Sequence, residues 1–449
     1  MQVIRQRHGA LSFTVRGNSI IYDIGCLPAG RWPVHHSEIF MSLFGAMRLP
    51  RSVLFGSGQR HALPAIARQF GRRVLICTDP RLGADRELQV LTTELERVGS
   101  TTLVYDRTLP DLPTESIMDC LRAAASFAPE VIIGIGGGSC MDMAKAVSVL
   151  LTHGGEPSLY YGEYKVPGPV MPLIAVPTTS GTGSEVTPVS VVADTARGTK
   201  IGIASPYLIP QVAVCDPELT LTCPPALTAC SGGDALTHAI EAFTSLARPV
   251  SADLTLQHVF VGKNALSDHF ALLAISSIWN SLYPAYVNGK DLQARENLMM
   301  GSLAAGCAFG TAGTAAAHAI QYPVGNATHT AHGDGVASLL PYVMEFNRPA
   351  CIESFAQIAR MLNLGDANST NDALSHILID EVARLFASVG IPRTLKDLGL
   401  AADKQQWTAE SAISIQRLVK NNPRPLDLPA MQAITAAAYS GDRAALRHA

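Results

Sequence analysis

The chain has no closely spaced cysteine pair, no marked excess of charge and no long uninterrupted apolar run. Its nine cysteines, Cys26, Cys77, Cys120, Cys140, Cys215, Cys223, Cys230, Cys307 and Cys351, are scattered and never form C-x-x-C. That spacing argues against a disulfide framework or a cysteine zinc site and fits a reducing, cytoplasmic setting. Lys and Arg total 34 against 37 Asp and Glu, a formal charge of −3, which leaves no basic surface for nucleic acid. Nowhere do about 18 apolar residues follow one another unbroken, so no membrane span is expected. Charged residues at 16% and apolar residues at 47% describe a large globular body rather than a disordered chain. The 449 residues suffice for two domains, each with its own core.

Residues 1–45 stand apart. Met1 to Phe40 mixes Arg, His, Gly and Pro without sustained periodicity, and it lacks the apolar core and small-residue cleavage site of a secretory signal. A loose extension is expected here, or an over-long start with Met41 as the first residue.

From about residue 50, short β-branched runs end in Gly, Asp or Pro: Ser52–Phe55, Val74–Cys77, Thr102–Tyr105, Val131–Ile135, Leu173–Val176 and Val212–Cys215. Helical spacing separates several of them, as in Leu82–Val98 and Glu115–Ala128. This alternation predicts an α/β domain over 46–220 with a mostly parallel, doubly wound, Rossmann-like sheet. Ligands bind such sheets at the carboxyl ends of the strands. After Pro225 the strand pattern stops. Ala226–Thr244, Ser267–Tyr283, Ala294–Cys307, Ser354–Met361 and Asp372–Ser388 read as helices, which predicts an all-helical domain over 221–449 and a site in the cleft between the two.

Asp234 and His238 lie four apart, a spacing that turns both side chains to one side of a helix. Ala317-His318-Ala319 and Ala331-His332-Gly333-Asp334-Gly335 add two imidazoles. One carboxylate with three imidazoles suits Fe²⁺ or Zn²⁺ and suits Ca²⁺ or Mg²⁺ poorly. The Asp-x-x-x-His pair alone equally describes a hydrogen-bonded helix pair; the His- and Gly-rich stretch favours ligation. Gly134-Ile135-Gly136-Gly137-Gly138-Ser139 follows a strand and precedes a helix, where glycines admit a diphosphate to free backbone N–H groups. Ser139 stands where the dinucleotide fingerprint has its last glycine, and a plain tight turn is the competing interpretation. Pro177-Thr178-Thr179-Ser180-Gly181-Thr182-Gly183-Ser184 follows another strand as a second phosphate- or ribose-facing loop, or a Ser/Thr-rich turn. Asp79, after Val74–Cys77, is placed to accept from ribose hydroxyls and to repel a 2′-phosphate, favouring NAD; before Pro80 it equally suits a turn.

Taken in order, these motifs resemble the iron-containing (group III) alcohol dehydrogenase family over roughly residues 50–430. The likeness rests on Gly136–Asp142, Pro177–Thr187, Ser231–Glu241, the two-histidine stretch and Asn422-Pro423-Arg424. It implies a metal-dependent NAD(H) alcohol dehydrogenase interconverting a small primary alcohol or hydroxy acid with its aldehyde. It implies Asp234, His238, His318 and His332 as metal ligands, with His329 the rival for the last place. Gly137, Gly138 and Ser139, with Asp142 closing their motif, are implied at the pyrophosphate. Thr178, Thr179, Thr182, Thr187 and Lys200 are implied along the nucleotide, and the family implies a homodimer. Many members have a histidine where this chain has Tyr322. Tyrosine there, and the run Lys200–Ser205, is similar to the hydroxyacid–oxoacid transhydrogenase branch, which makes 4-hydroxybutyrate with 2-oxoglutarate an alternative substrate pair. A dehydroquinate-synthase-type lyase shares the architecture and is a further alternative. Tyr322 and His329 are the candidate proton relays; Lys263 and Arg248 are the candidate cations for a substrate carboxylate. Leu112 occupies a loop position where relatives often offer adenine a polar group.

Overall fold

The computed structural model describes residues 43–448 and, ahead of them, only the strand backbone at Arg7–His8, Leu11–Arg16 and Ser19–Asp23. The chain divides into two compact units, Met1–Leu43 and Phe44–Ala449. In the first, the three strands pair in an antiparallel meander. This corrects the expectation of no strand periodicity before residue 40: Leu-Ser-Phe-Thr-Val-Arg alternates apolar and polar residues, the period of a pleated strand. Cys26 and Met41 lie outside the described residues.

The second unit begins with a six-stranded parallel sheet. Its strands are β1 (Ser52–Phe55), β2 (Arg73–Cys77), β3 (Thr101–Tyr105), β4 (Val131–Gly136), β5 (Leu173–Pro177) and β6 (Val212–Cys215). They lie in the order β1-β6-β5-β4-β2-β3. Every residue of β4 and β5 is buried, as a sheet covered on both faces requires. The chain runs outward from β2 to the edge strand β3 and returns on the other side of β2 as β4. The sheet therefore changes winding direction between β2 and β4, and a crevice opens at their carboxyl ends. Thr78-Asp79 leaves β2 at this point, and Gly137 leads from β4 into helix α1 (Gly138–His153).

An antiparallel hairpin, Val189–Asp194 with Thr199–Ala204, departs from the parallel pattern and pairs Ala193 with Lys200. The stretch expected as one helix over Leu82–Val98 is two, Pro80–Gly83 and Arg86–Arg97. Asp85 caps the second, accepting from the Glu87 N–H at 2.8 Å.

Among the described residues from 225 onward the named elements are helices. They include α2 (Pro225–Thr244), α3 (Ala265–Val287), α4 (Leu292–Ala312), α5 (Ala316–Thr328), α6 (His332–Met361) and α7 (Asn371–Ser388). The segment expected as Ser354–Met361 is the last part of the thirty-residue α6, which carries Pro341 and Pro349 internally. Helix α3 is long and apolar enough by composition to cross a membrane. Its Ala271, Ala274, Ile275, Ile278 and Leu282 are buried in the helical core beside Leu236 and Ile240 of α2.

Candidate active site

Helix α2 supplies the first two groups. Asp234 and His238, one turn apart, are both buried, and His238 Nε2 stands 3.6 Å from Asp234 Oδ1. The His238 ring stacks on Phe309 of α4, with centroids 4.1 Å apart. Helix α5 brings His318 Nε2 to 3.7 Å from the same oxygen, and the first residue of α6 brings His332 Nε2 to 3.8 Å. The start of α6 reaches this close because residue 333 is glycine: a Cβ there would sit 2.1 Å from the Cys230 carbonyl oxygen on α2.

Asp234 Oδ1 and His318 Nε2 are buried without a hydrogen-bond partner. Such orphaned atoms are costly in a closed interior unless a cation satisfies them. Asp234, His238 and His318 bring ligand atoms within 4.8 Å of one another, and the donor set, carboxylate with imidazoles, is the one a borderline divalent ion accepts. The residues fit a metal ion.

Protonation follows from the surroundings. Burial holds His238 and His332 at about 4 and about 3, so both are neutral and ready to donate a lone pair. For His318 burial acts in the same direction, but Glu241 and Asp234 outweigh it and raise the imidazole to about 9. Burial also opposes the charge on Asp234; His238, His318 and His332 overcome it and hold the carboxyl below its ordinary range.

Glu241 explains why His318 points as it does. Its carboxylate accepts from His318 Nδ1 at 2.7 Å and from the backbone N–H groups of Ala315 and Ala317, each at 2.7 Å. It thus fixes the ring and caps the exposed donors at the start of α5. Sequence reasoning gave Glu241 no role, although it lies one turn beyond His238 on the same face of α2. Glu241→Gln is expected to weaken metal affinity about 10–100-fold, measured by titrating a divalent ion into metal-free protein. Unchanged affinity would show that the charge of Glu241 does not tune this ligand.

At the sheet, the glycine loop meets the Thr/Ser loop. A Cβ on Gly138 would lie 2.7 Å from Thr182 Cγ2, and one on Gly137 would lie 3.7 Å from Thr179 Oγ1, so the two loops touch backbone against side chain. Asp142 accepts from Ser184 Oγ at 2.6 Å and from the Val191 N–H at 2.9 Å, which ties α1 to the second loop and to the hairpin.

A cleft joins the two constellations. Gly138, Ser139, Asp142, Thr182, Thr187 and Lys200 line it on the sheet side; Asp234, His238, His318, Tyr322 and His332 line it on the helical side. Lys200 Nζ is 2.6 Å from Asp111 Oδ1. Tyr322 is buried, its ring centroid 6.2 Å from that of His332. Burial pushes its phenol above the ordinary value, and Arg417 works against that rise.

Other expected residues lie off this cleft. Asp79 caps the helix Pro80–Gly83, accepting from the Leu82 N–H at 2.9 Å, while Thr178 lines a neighbouring hollow with Leu82 and Asp85. His329 is exposed at the carboxyl cap of α5 with φ 55, where the left-handed turn carries it outward. Lys263 Nζ is engaged by Asp268 at 2.6 Å, and neither it nor Arg248 lines the cleft. Leu112 is 1% exposed and packs in the core beneath the sheet; Asp111, its neighbour, faces the cleft instead.

A nucleotide-type crevice in a parallel sheet, joined by one cleft to a buried carboxylate–imidazole cluster on helices, defines a two-domain oxidoreductase. A family model described as iron-containing alcohol dehydrogenase matches residues 50–217. A second, described as Fe-containing alcohol dehydrogenase family, C-terminal, matches residues 228–439. The chain belongs to the iron-containing alcohol dehydrogenase family, and is an oxidoreductase acting on CH–OH groups. It is 36% identical over 382 residues to the long-chain-alcohol dehydrogenase 1 of Geobacillus thermodenitrificans (strain NG80-2), covering 84% of this chain and 92% of that one. Among solved structures it is similar to a 1,3-propanediol oxidoreductase, with TM-score 0.82, 31% identity, and 88% and 99% of the two chains covered. A sulfoacetaldehyde reductase from Bifidobacterium kashiwanohense, solved in complex with NAD⁺, superposes with TM-score 0.75 at 26% identity over 90% of this chain and 100% of that one.

Proposed function

We propose that this chain is an NAD(H)-dependent dehydrogenase interconverting a small primary alcohol or hydroxy acid with its aldehyde. The observation that carries the reading is the single cleft holding both the Asp234–His238–His318 cluster and the glycine loop at Gly138. Asp234, His238, His318 and His332 would hold Fe²⁺, with Zn²⁺ acceptable to the same donors. When bound, the ion supplies Lewis acidity toward the substrate oxygen. Gly137, Gly138 and Ser139 receive the pyrophosphate at the amino end of α1, where backbone N–H groups are free. Thr182, Thr187 and Lys200 line the rest of the nucleotide path, and the relative solved with NAD⁺ supports that choice of cofactor. The cleft between these loops and the helices would hold the nicotinamide beside the reacting carbon and keep most water from it. Tyr322 is the group placed to pass a proton or to pack on substrate; His329, exposed on the surface, has only a solvent-side role. Eight described cysteines are free, which supports a reducing, cytoplasmic setting, and family likeness supports a homodimer.

The test is a panel of primary alcohols, aldehydes and hydroxy acids with NAD(H), with and without added Fe²⁺. NADH formation from alcohols that depends on the metal is the expected result; no absorbance change across the panel refutes the reading. A second reading, hydroxyacid–oxoacid transfer, is favoured by Tyr322 in the cleft wall. It predicts that 4-hydroxybutyrate is consumed only when 2-oxoglutarate is present, with no NADH released. The lyase alternative gives way to the family match.

A further inference from the structure

The cleft carries three carboxylates and two cations, and their pairing leaves one cation over. Asp142 is held by Ser184 and the Val191 N–H. Asp234 belongs to the imidazole cluster. Asp111 is paired with Lys200 at 2.6 Å. Arg417 remains. It sits on the short helix Gln416–Val419, half-buried, and lines the cleft together with Tyr322 and Phe260. Its guanidinium lies over the Phe260 ring, 5.2 Å from the centroid, and among the described residues no carboxylate stands within ion-pair distance of it.

A guanidinium in a partly closed apolar wall has given up water, and a face-on aromatic ring recovers only part of that loss. Its planar fork is built to hold a carboxylate or sulfonate with two parallel hydrogen bonds. Tyr322 stands between Arg417 and the imidazole cluster, since its ring is beside His332 and its side chain interacts with Arg417. The one cleft therefore offers a cation at one place on its wall and the imidazole cluster at another. Lys263 and Arg248, the cations that sequence reasoning offered for this task, are elsewhere.

We propose that Arg417 is the specificity-determining residue of this cleft, and that it receives the terminal anion, carboxylate or sulfonate, of a short ω-hydroxy acid or the matching aldehyde. This rests on the dehydrogenase reading for the chemistry, but anion binding itself is measured separately. The metal- and NAD-loaded enzyme is compared with R417A and R417K in two assays. In the first, butyrate and ethanesulfonate are titrated calorimetrically. Tighter butyrate binding identifies a carboxylate site, tighter ethanesulfonate binding a sulfonate site, and R417A is expected to weaken the preferred one at least about tenfold, with R417K recovering part. In the second, kcat/KM is measured for 4-hydroxybutyrate, 2-hydroxyethanesulfonate and butan-1-ol. The ratio of the preferred acid to butan-1-ol is expected to fall about 100-fold in R417A, mostly through KM.

Equal losses for acid and alcohol, with an unchanged ratio, would reveal a merely structural role and overturn the proposal. So would turnover of butan-1-ol with neither anion binding nor acid preference, while the dehydrogenase reading survived. Arg417-dependent anion binding without turnover of any alcohol or acid would uphold the anion site and sink the dehydrogenase reading.

Discussion

Asp234→Ala is expected to empty the metal site and lower kcat/KM for alcohol oxidation by about three orders of magnitude or more, while the protein still unfolds cooperatively. Three imidazoles converge on one oxygen of this carboxylate, at 3.6, 3.7 and 3.8 Å. Removing it takes away the carboxylate on which all three ring nitrogens converge, so a divalent ion loses both a ligand and its charge compensation. Lewis-acid stabilisation is worth several kcal/mol, and each 1.36 kcal/mol is about tenfold in rate, which sets the size of the loss. The fold is spared because residue 234 lies inside α2, where alanine is the best helix former. Asp234→Asn keeps the shape and loses the charge, so it separates packing from ligation. Metal content by elemental analysis and turnover of a primary alcohol check the prediction together. Near-normal metal and turnover in Asp234→Ala would remove Asp234 from the site.

Much of this architecture is legible in the sequence for an identifiable reason. The strands β1 to β6 are short, β-branched and closed by Gly, Asp or Pro, so burial and turn chemistry mark both ends. The pair Asp234 and His238 is equally plain, because a four-residue spacing is a local property of one helix. Helix α6 is less legible. It runs through Pro341 and Pro349, and its first half is buried nearly all round and so has no amphipathic stripe. The hairpin carrying Lys200 forms a small separate sheet between β5 and β6 in the chain, outside the strand–helix alternation that marks the parallel sheet. Glu241 and Arg417 mark a different boundary. Each acts through a partner remote in the chain, His318 for one and the cleft wall for the other. Residue type alone does not distinguish them from a solvated helix glutamate or a surface arginine. Only the packing of α2 against α5, and of Gln416–Val419 beside Phe260, gives them their roles.

The same distinction between local and assembled chemistry applies beneath the nucleotide loop. Lys145 on α1 is 1% exposed. Its ammonium donates to Val189 O at 2.8 Å, Ser184 Oγ at 2.9 Å, Thr187 O at 3.0 Å and Thr187 Oγ1 at 3.1 Å, and lies 3.8 Å from Asp142 Oδ1. Burial lowers its ordinary value to about 8, and Asp142 and Glu185 work against that fall. This single side chain therefore joins α1, the Thr/Ser loop and the hairpin from below. Lys145→Met fills nearly the same volume but leaves the Asp142 carboxylate buried without its cation and two backbone carbonyls without a donor. Breaking a buried pair from one side costs about 3–5 kcal/mol, so the variant is expected to lose about that much stability in a denaturant titration. NAD⁺ affinity should fall with it, because Thr182, Thr187 and Lys200 are positioned by the elements that Lys145 ties together. The double variant K145M/D142L removes both partners, and its destabilisation should be clearly smaller than the sum of the separate losses in K145M and in D142L, the mark of an interacting pair. Strictly additive losses, or a K145M protein with unchanged stability and NAD⁺ binding, would mean that the loop is held by its backbone contacts and not by this ammonium.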